Sequence, residues 1–207
     1  MLPNRTALGK YNYKLYSTQM LGFSERRFVA ALIFAVFLGT GAASAKIEVH
    51  YAPQENLEAI DVDLIDTAER SIDMAAYVLS DAAVIDALRD AAERGVTIRI
   101  YLDKGQFAEH GPRQGGEIEA LLAYPNVFAR VKGRGVLMHL KAYAVDGAHL
   151  RTGSGNFSHS GLSAQDNDLV LVDDPQAIQA FEHNFDAIFA RATNPQALLA
   201  RDRGGPR

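Results

Sequence analysis

The hydrophobic positions from residue 46 onward follow two alternating periods. Apolar residues recur at every second position in 46–51, which predicts a strand, and at helical spacing in 55–70, which predicts a helix. Later segments repeat this order and predict strands at 71–79, 96–102, 127–131, 137–145, 149–152 and 169–172, with helices over 82–94, 117–123 and 176–191. Residues 105–116 are rich in glycine and charge, which predicts a loop. Strands alternating with helices predict an α/β fold, with a mixed central β-sheet and helices on both faces.

The first 45 residues have a different pattern, which is typical of an export signal. Arg26 and Arg27 precede the apolar run 28–38, and small residues follow as far as Ala45. This predicts a signal peptide over 1–45, with Met20 as a possible true start and a periplasmic or secreted mature protein. An uncleaved anchor is the alternative, but eleven apolar residues are too few for a stable membrane span. The remaining chain predicts one catalytic domain over 46–193 and a loose tail over 194–207.

Composition restricts the function without defining it. The chain has no cysteine, which excludes disulfides, thiolate metal sites and cysteine nucleophiles. Residues 46–207 carry 16 basic and 24 acidic residues, a net charge of −8, which argues against broad non-specific binding of DNA. Five basic residues nevertheless lie close together in the sequence: Arg130, Lys132, Arg134, Lys141 and Arg151. They form either a rim that attracts phosphate or ordinary solvated charge, and the sequence leaves both interpretations open.

One spaced motif carries the candidate chemistry: His139-x-Lys141, then Asp146, then Gly153-Ser154-x-Asn156. His139 and Lys141 are two residues apart, so on an extended strand their side chains project from the same face. Lysine supplies positive charge for a phosphate oxygen, and Ser154 and Asn156 supply neutral hydrogen-bond donors. Asp146-Gly147 predicts a tight turn between two strands, which would bring the two halves of the motif together.

This pattern resembles the HKD motif of the phospholipase D superfamily in every residue type and spacing. The resemblance extends from about Lys46 to about Arg191 and is to the short, single-motif bacterial endonucleases and their mitochondrial relatives. It implies the phospholipase D/nuclease-like sandwich, which is the same α/β architecture that the hydrophobic pattern predicts. It also implies a homodimer with a shared active site, because each chain carries a single motif, and it implies no metal and no cofactor.

The resemblance further implies roles for the motif residues. His139 would attack phosphorus and form a phosphohistidine, while His139 of the partner subunit would protonate the leaving alcohol. Lys141, Ser154 and Asn156 would bind the phosphoryl oxygens. Asp146 is counted with the catalytic motif, although its place at a turn equally predicts a supporting role.

The family also has an acid beyond the motif that supports the active histidine. Asp168 is the better match to this acid, and Asp166 is its rival.

Three functions are compatible with the motif. The first is a metal-independent phosphodiesterase acting as an endonuclease on DNA, or on RNA. The second is a phospholipase D that hydrolyses phospholipid head groups. The third is a non-catalytic module that binds nucleic acid, which the intact motif disfavours.

Overall fold

The computed structural model describes residues 45–110, 116–133 and 135–196, so the expected signal peptide and its cleavage site at Ala45 fall almost wholly outside the described residues. Seven strands form one sheet: β1 (Ile47–Ala52), β2 (Ser71–Ala76), β3 (Thr97–Leu102), β4 (Val127–Val131), β5 (Lys141–Val145), β6 (His149–Gly153) and β7 (Asn167–Val172). The helices are α1 (Leu57–Asp66), α2 (Ala82–Glu93), α3 (Lys104–His110), α4 (Glu117–Leu122), α5 (His159–Ser163) and α6 (Pro175–Phe189).

The sheet is mixed, with strand order β1-β7-β6-β5-β2-β3-β4. Strands β2, β3 and β4 pair in parallel, whereas the other pairs in that order are antiparallel. The carboxyl ends of β1, β2, β3, β4 and β6 therefore reach the same edge of the sheet as the amino ends of β5 and β7. We call this edge the motif edge.

Both faces of the central strands are buried. Along β2, Ile72 and Met74 pack into the larger core with α1, α2 and α4, whereas Ala75 packs on the opposite face against α6. A central strand covered on both faces is expected to read as a nearly continuous apolar run, as β2 does. The predicted architecture, a mixed sheet with helices on both faces, is confirmed.

Three local predictions are wrong. The 105–116 segment begins within helix α3, whose first turn is held by the Asp103 carboxylate accepting from the Gly105 and Gln106 amides at 2.8 and 3.2 Å. The strand expected over 137–145 is regular only from Lys141. The short helix α5 was not predicted, and Ser158 caps it by accepting a hydrogen bond from the Gly161 amide.

The first residues of the expected tail contact the domain. Asn194 is buried, donates to the Ile188 carbonyl at 2.6 Å and accepts from the Gly133 amide at 3.0 Å. The Pro195 carbonyl accepts from the Val131 amide at 2.9 Å, so this segment closes the end of β4. Residues 197–207 of that prediction lie outside the described residues.

Among the described residues, no helix combines the length and apolar character needed to cross a membrane.

Candidate active site

The two halves of the motif meet at the motif edge. Strand β5 begins at Lys141 and the antiparallel β6 ends at Gly153, with Tyr143 opposite Arg151 between them. On its other side, Lys141 lies opposite Ala76 of β2. The pairing therefore places the His139–Lys141 segment beside the Gly153–Asn156 loop, as the sequence predicts.

His139 and Lys141 are in direct contact. The Lys141 Nζ lies 3.0 Å from each ring nitrogen of His139 and donates to the His139 carbonyl at 2.9 Å. The Tyr77 ring lies 4.5 Å from the His139 ring and 4.8 Å from the lysine Nζ, measured to ring centroids. Tyr77 thus forms a wall of the site, a role that sequence reasoning did not assign.

The environments of these two residues differ. His139 is exposed, whereas Lys141 is buried, and this burial lowers the pKa of its ammonium group. An imidazole open to solvent is accessible to a substrate phosphorus. A partly desolvated ammonium beside it interacts more strongly with phosphoryl oxygens than a fully hydrated one would.

Ser154 is held by the start of β7. Its amide donates to the Asp168 carboxylate at 3.1 Å, its hydroxyl donates to the Asn167 side chain at 3.1 Å, and the Asp168 amide donates back to that hydroxyl at 3.0 Å. Hydrogen bonding from Ser154 lowers the pKa of Asp168, while burial opposes the shift. Gly153, at φ +143°, packs on the Asp168 carbonyl so closely that a Cβ would overlap it.

Asn156 has an unused polar atom. Its Oδ1 is buried and has no hydrogen-bond partner among the described residues. Buried side-chain polar atoms are nearly always paired, so this unpaired acceptor marks a position for a hydrogen-bond donor such as water.

Much of the chain matches a known protein family. The family described as "Cardiolipin synthase, PLD-like domain" matches residues 62–189, more than half of the chain. The chain belongs to the phospholipase D superfamily. Its PLD-like domain therefore includes the whole motif, from His139 to Asn156.

Curated relatives carry two kinds of name. A "Phospholipase D" of Rickettsia bellii is 25% identical over 183 residues, covering 86% of this chain and 87% of that protein. A "Mitochondrial cardiolipin hydrolase" of Chlamydomonas reinhardtii is 24% identical over 128 residues, covering 62% of this chain and 55% of that protein.

Solved structures share the fold. Nuc, a phospholipase D family member from Salmonella typhimurium, has a TM-score of 0.62 at 23% identity and covers 73% of this chain and 97% of that chain. NucT from Helicobacter pylori has a TM-score of 0.65 at 20% identity and covers 73% and 99%.

The structure does not bring Asp146 to the PLD-like cluster. Asp146 follows the far end of β5, about 16 Å from Lys141 at roughly 3.3 Å of rise per residue. Its carboxylate accepts from the amides of Glu69, Arg70 and Ser71 at 2.8–2.9 Å. Partial burial opposes ionisation, but these amides outweigh it and lower the pKa of Asp146. This placement at the β5–β6 turn favours the supporting role that the turn position also predicted, and the catalytic role of Asp146 stays a prediction.

The two candidate supporting acids are also separated. Asp168 contacts the motif through Ser154, whereas Asp166 is exposed in the loop before β7. Among the described residues the Asp168 carboxylate makes no hydrogen bond to His139, so its observed contact is with the phosphate-binding half of the motif.

A fully buried ion pair lies beneath the site. Arg151 on β6 and Asp61 on α1 are both 0% exposed and are joined by two hydrogen bonds of 2.8 and 2.9 Å. The Arg151 Nη1 also donates to the carbonyls of Lys141 and Gly155, at 3.1 and 3.3 Å. Burial raises the pKa of Asp61, and the guanidinium acts in the opposite direction. One guanidinium therefore connects both halves of the PLD-like motif to helix α1.

This pair was missed from sequence, although a signal was present. Asp61 occupies a helical position between Leu57 and Ile65, which are both buried. A charge on the apolar stripe of a helix calls for a buried partner of opposite sign.

Two of the five basic residues that could form a phosphate-attracting rim have other contacts in the fold. Arg151 is buried, and Arg130 lies over the Phe189 ring of α6 at 5.4 Å. Arg134 falls outside the described residues. Lys132 directly follows β4 and Lys141 begins β5, so these two lysines of that set lie at the motif edge.

One group of potential metal ligands occurs away from the motif. Side-chain ligand atoms of Glu58, Asp81 and His159 lie within 4.8 Å of one another. Asp81 already caps α2 by accepting from the Val84 amide at 3.1 Å. Burial raises the pKa of Glu58, and the charge of Asp81 adds to the shift, whereas His159 opposes it.

Proposed function

We propose that this protein is a metal-independent phosphodiesterase that cleaves nucleic acid as an endonuclease. The observation that carries the proposal is the contact between an exposed His139 and a buried Lys141, with Ser154 and Asn156 at the same sheet edge. This arrangement offers a nucleophile beside groups that bind phosphoryl oxygens, which phosphodiester cleavage requires.

The chemistry proceeds in two steps. In the first, a ring nitrogen of His139 attacks phosphorus, the bond to one ester oxygen breaks, and the departing alkoxide takes a proton from His139 of the partner subunit. In the second, water attacks the phosphohistidine, gives a proton to that partner imidazole and releases His139 and a phosphomonoester. Lys141 offsets the charge on the non-bridging oxygens in both steps.

The need for a second histidine supports a homodimer with a shared site. Leu137 and Leu140, on either side of His139, are 61% and 39% exposed, although aliphatic side chains favour burial. A second copy related by a two-fold axis through the paired histidines would bury them. We therefore expect Leu140→Asp to shift the protein toward monomer in gel filtration and to reduce its activity.

DNA is the proposed substrate, RNA is a further one, and the periplasm or the exterior is the proposed location. Phospholipid head groups are the second candidate, because curated relatives are named phospholipase D and cardiolipin hydrolase.

The test uses residues 46–207 with excess EDTA, on plasmid DNA and on phosphatidylcholine and cardiolipin vesicles. His139→Ala is compared with His149→Ala, a control histidine at the other end of β6 that pairs with Asp173. Nicking by wild type and His149→Ala, but not by His139→Ala, supports the proposal. Head-group release without nicking would assign the second function. Loss of all turnover in EDTA, or no turnover on any substrate, would overturn the proposed chemistry.

A further inference from the structure

The charges at the motif edge are distributed unequally on the two sides of His139. On the side of β6, β7 and β1, the loop and strand residues nearest the motif include Asp166 and Asp168. On the side of β2, β3 and β4, Lys132 directly follows β4, and β3 is followed by Asp103 and then Lys104. Asp103 is buried and its carboxylate is bound by backbone amides, which leaves Lys104 as the exposed charge after β3. A polyanion whose phosphate sits at His139 is repelled on the first side and attracted on the second.

A cavity of about 440 Å³ lies on the basic side, within the size range of ligand sites. It is lined by Asp103, Lys104, Gly105, Ala108, Lys132, Gly133, Gly135, Val136 and Leu137. Asp103 is buried there, and its carboxylate accepts from three backbone amides, those of Gly105, Gln106 and Met138. The bond from the Met138 amide to Asp103, at 2.9 Å, connects the cavity to the catalytic segment, because Met138 directly precedes His139.

Neither lysine of this cavity, Lys104 or Lys132, forms an ion pair with any residue in the described ranges 45–110, 116–133 and 135–196. The Lys132 backbone is fixed by donation from its amide to the Leu102 carbonyl at 2.8 Å. In contrast, Lys46 at the start of β1 pairs with Glu48 at 2.5 Å.

Strand order sets the distance between the cavity and the catalytic lysine. In the sheet, β3 and β4 lie two and three strands from β5. At a spacing of about 4.8 Å per strand, Lys104 and Lys132 lie roughly 10–15 Å from Lys141 along the edge. A single phosphodiester group is too small to span that distance, so only a substrate that extends beyond the scissile phosphate can reach the cavity.

We propose that this cavity is an auxiliary phosphate subsite, in which Lys104 and Lys132 bind a nucleic-acid backbone phosphate roughly 10–15 Å from the scissile one. The inference rests on the proposed nuclease function and adds a direction: the substrate strand runs from His139 across the ends of β2, β3 and β4. The subsite contributes to binding of extended substrates and takes no part in bond cleavage.

The test compares a substrate long enough to reach the cavity with one that is too short. The long substrate is a labelled single-stranded oligonucleotide of about 20 nucleotides, and the short one is bis(p-nitrophenyl) phosphate, which has a single phosphate. The double variant Lys104→Gln/Lys132→Gln is measured beside wild type and the control Lys46→Gln, with KM and kcat determined separately. Binding of the oligonucleotide is also titrated against salt by fluorescence anisotropy.

We expect the double variant to raise KM for the oligonucleotide about ten-fold or more, and to reduce the magnitude of the salt slope by about one, because one phosphate contact is lost. Its kcat on the oligonucleotide and its kcat/KM on bis(p-nitrophenyl) phosphate should stay within about two-fold of wild type, as should all values for Lys46→Gln. If wild type cleaves DNA but the double variant has the same KM and salt slope as wild type, the subsite is overturned and the nuclease function is not.

Other outcomes separate the subsite from the nuclease function. If wild type hydrolyses bis(p-nitrophenyl) phosphate but neither binds nor cleaves the oligonucleotide, the nuclease function fails and the subsite fails with it. Loss of binding to anionic vesicles in the double variant, without loss of oligonucleotide binding, would assign the lysines to a lipid surface and overturn the proposal. Equal losses on both substrates would indicate a disturbed catalytic centre and would also overturn it.

Discussion

Arg151 and Asp61 form a fully buried ion pair, and the same guanidinium donates to the carbonyls of Lys141 and Gly155. Breaking such a pair leaves one uncompensated charge in the core. Since the two carbonyls belong to opposite halves of the motif, the ion pair controls their separation as well as the stability of the fold.

Asp61→Asn should therefore lower the free energy of unfolding by about 3–5 kcal/mol, because Arg151 stays buried without its counter-charge. Urea denaturation followed by circular dichroism measures this. The double variant Asp61→Leu/Arg151→Met should recover most of the stability, since it removes both charges, yet remain less active because the two carbonyls lose their common donor. A double variant with full wild-type kcat would show that the ion pair does not position the site.

Asp146 should matter for stability and not for turnover. Asp146→Asn keeps a residue that tolerates the observed φ of 55° but loses the charge that three amides bind. We expect a loss of about 1–3 kcal/mol at pH 7 and unchanged kcat below the melting temperature.

The pH dependence follows from the lowered pKa of Asp146. Because its folded pKa lies below the ordinary value of 3.8, the stabilisation is present above that value and is lost as the pH falls through the folded pKa. Unfolding curves of wild type and variant should therefore converge in strong acid. A large fall in kcat for the folded variant would show that Asp146 takes part in catalysis.

Asp168 and Asp166 form a matched pair of carboxylates two residues apart. Asp168→Asn should reduce kcat about ten-fold or more, because the Ser154 amide loses a charged acceptor at 3.1 Å and the phosphate-binding loop is less well held. Asp166→Asn, at an exposed position, should change kcat by less than about two-fold. Steady-state kinetics on one phosphodiester decides between them, and the reverse order of effects would favour Asp166 as the supporting acid.

Lys141 should determine the alkaline limit of activity. Burial lowers the pKa of its ammonium group, so the charge is lost, and activity with it, as the pH rises through a value below that of an ordinary lysine. Lys141→Arg keeps the charge at every accessible pH. We expect this variant to be less active than wild type at pH 7. Its activity should nevertheless persist to a higher pH than the activity of wild type does. The pH profile of kcat/KM tests this, and superimposable alkaline limbs would assign the limb to another group.

Much of the fold could be predicted because its signals are local. Strand β2 and helix α6 show their periods within a few residues, and the spacing from His139 to Asn156 lies within one hairpin. The misplaced details depend on distant partners. The segment before Lys141, predicted as part of a longer strand, is held by Asp103 through a bond that local pattern does not encode.

The sequence by itself determined the order of strands and helices, the family and the residues that can handle a phosphodiester, because hydrophobic period and motif spacing are properties of neighbouring residues. Only the tertiary structure decided which charges are buried, paired or brought together. It buries Arg151 against Asp61, binds the Asp146 carboxylate to backbone amides at the start of β2, and places Lys104 and Lys132 around one cavity. The reason is physical: whether a charge is paired, buried or free depends on segments that meet only when the sheet is assembled.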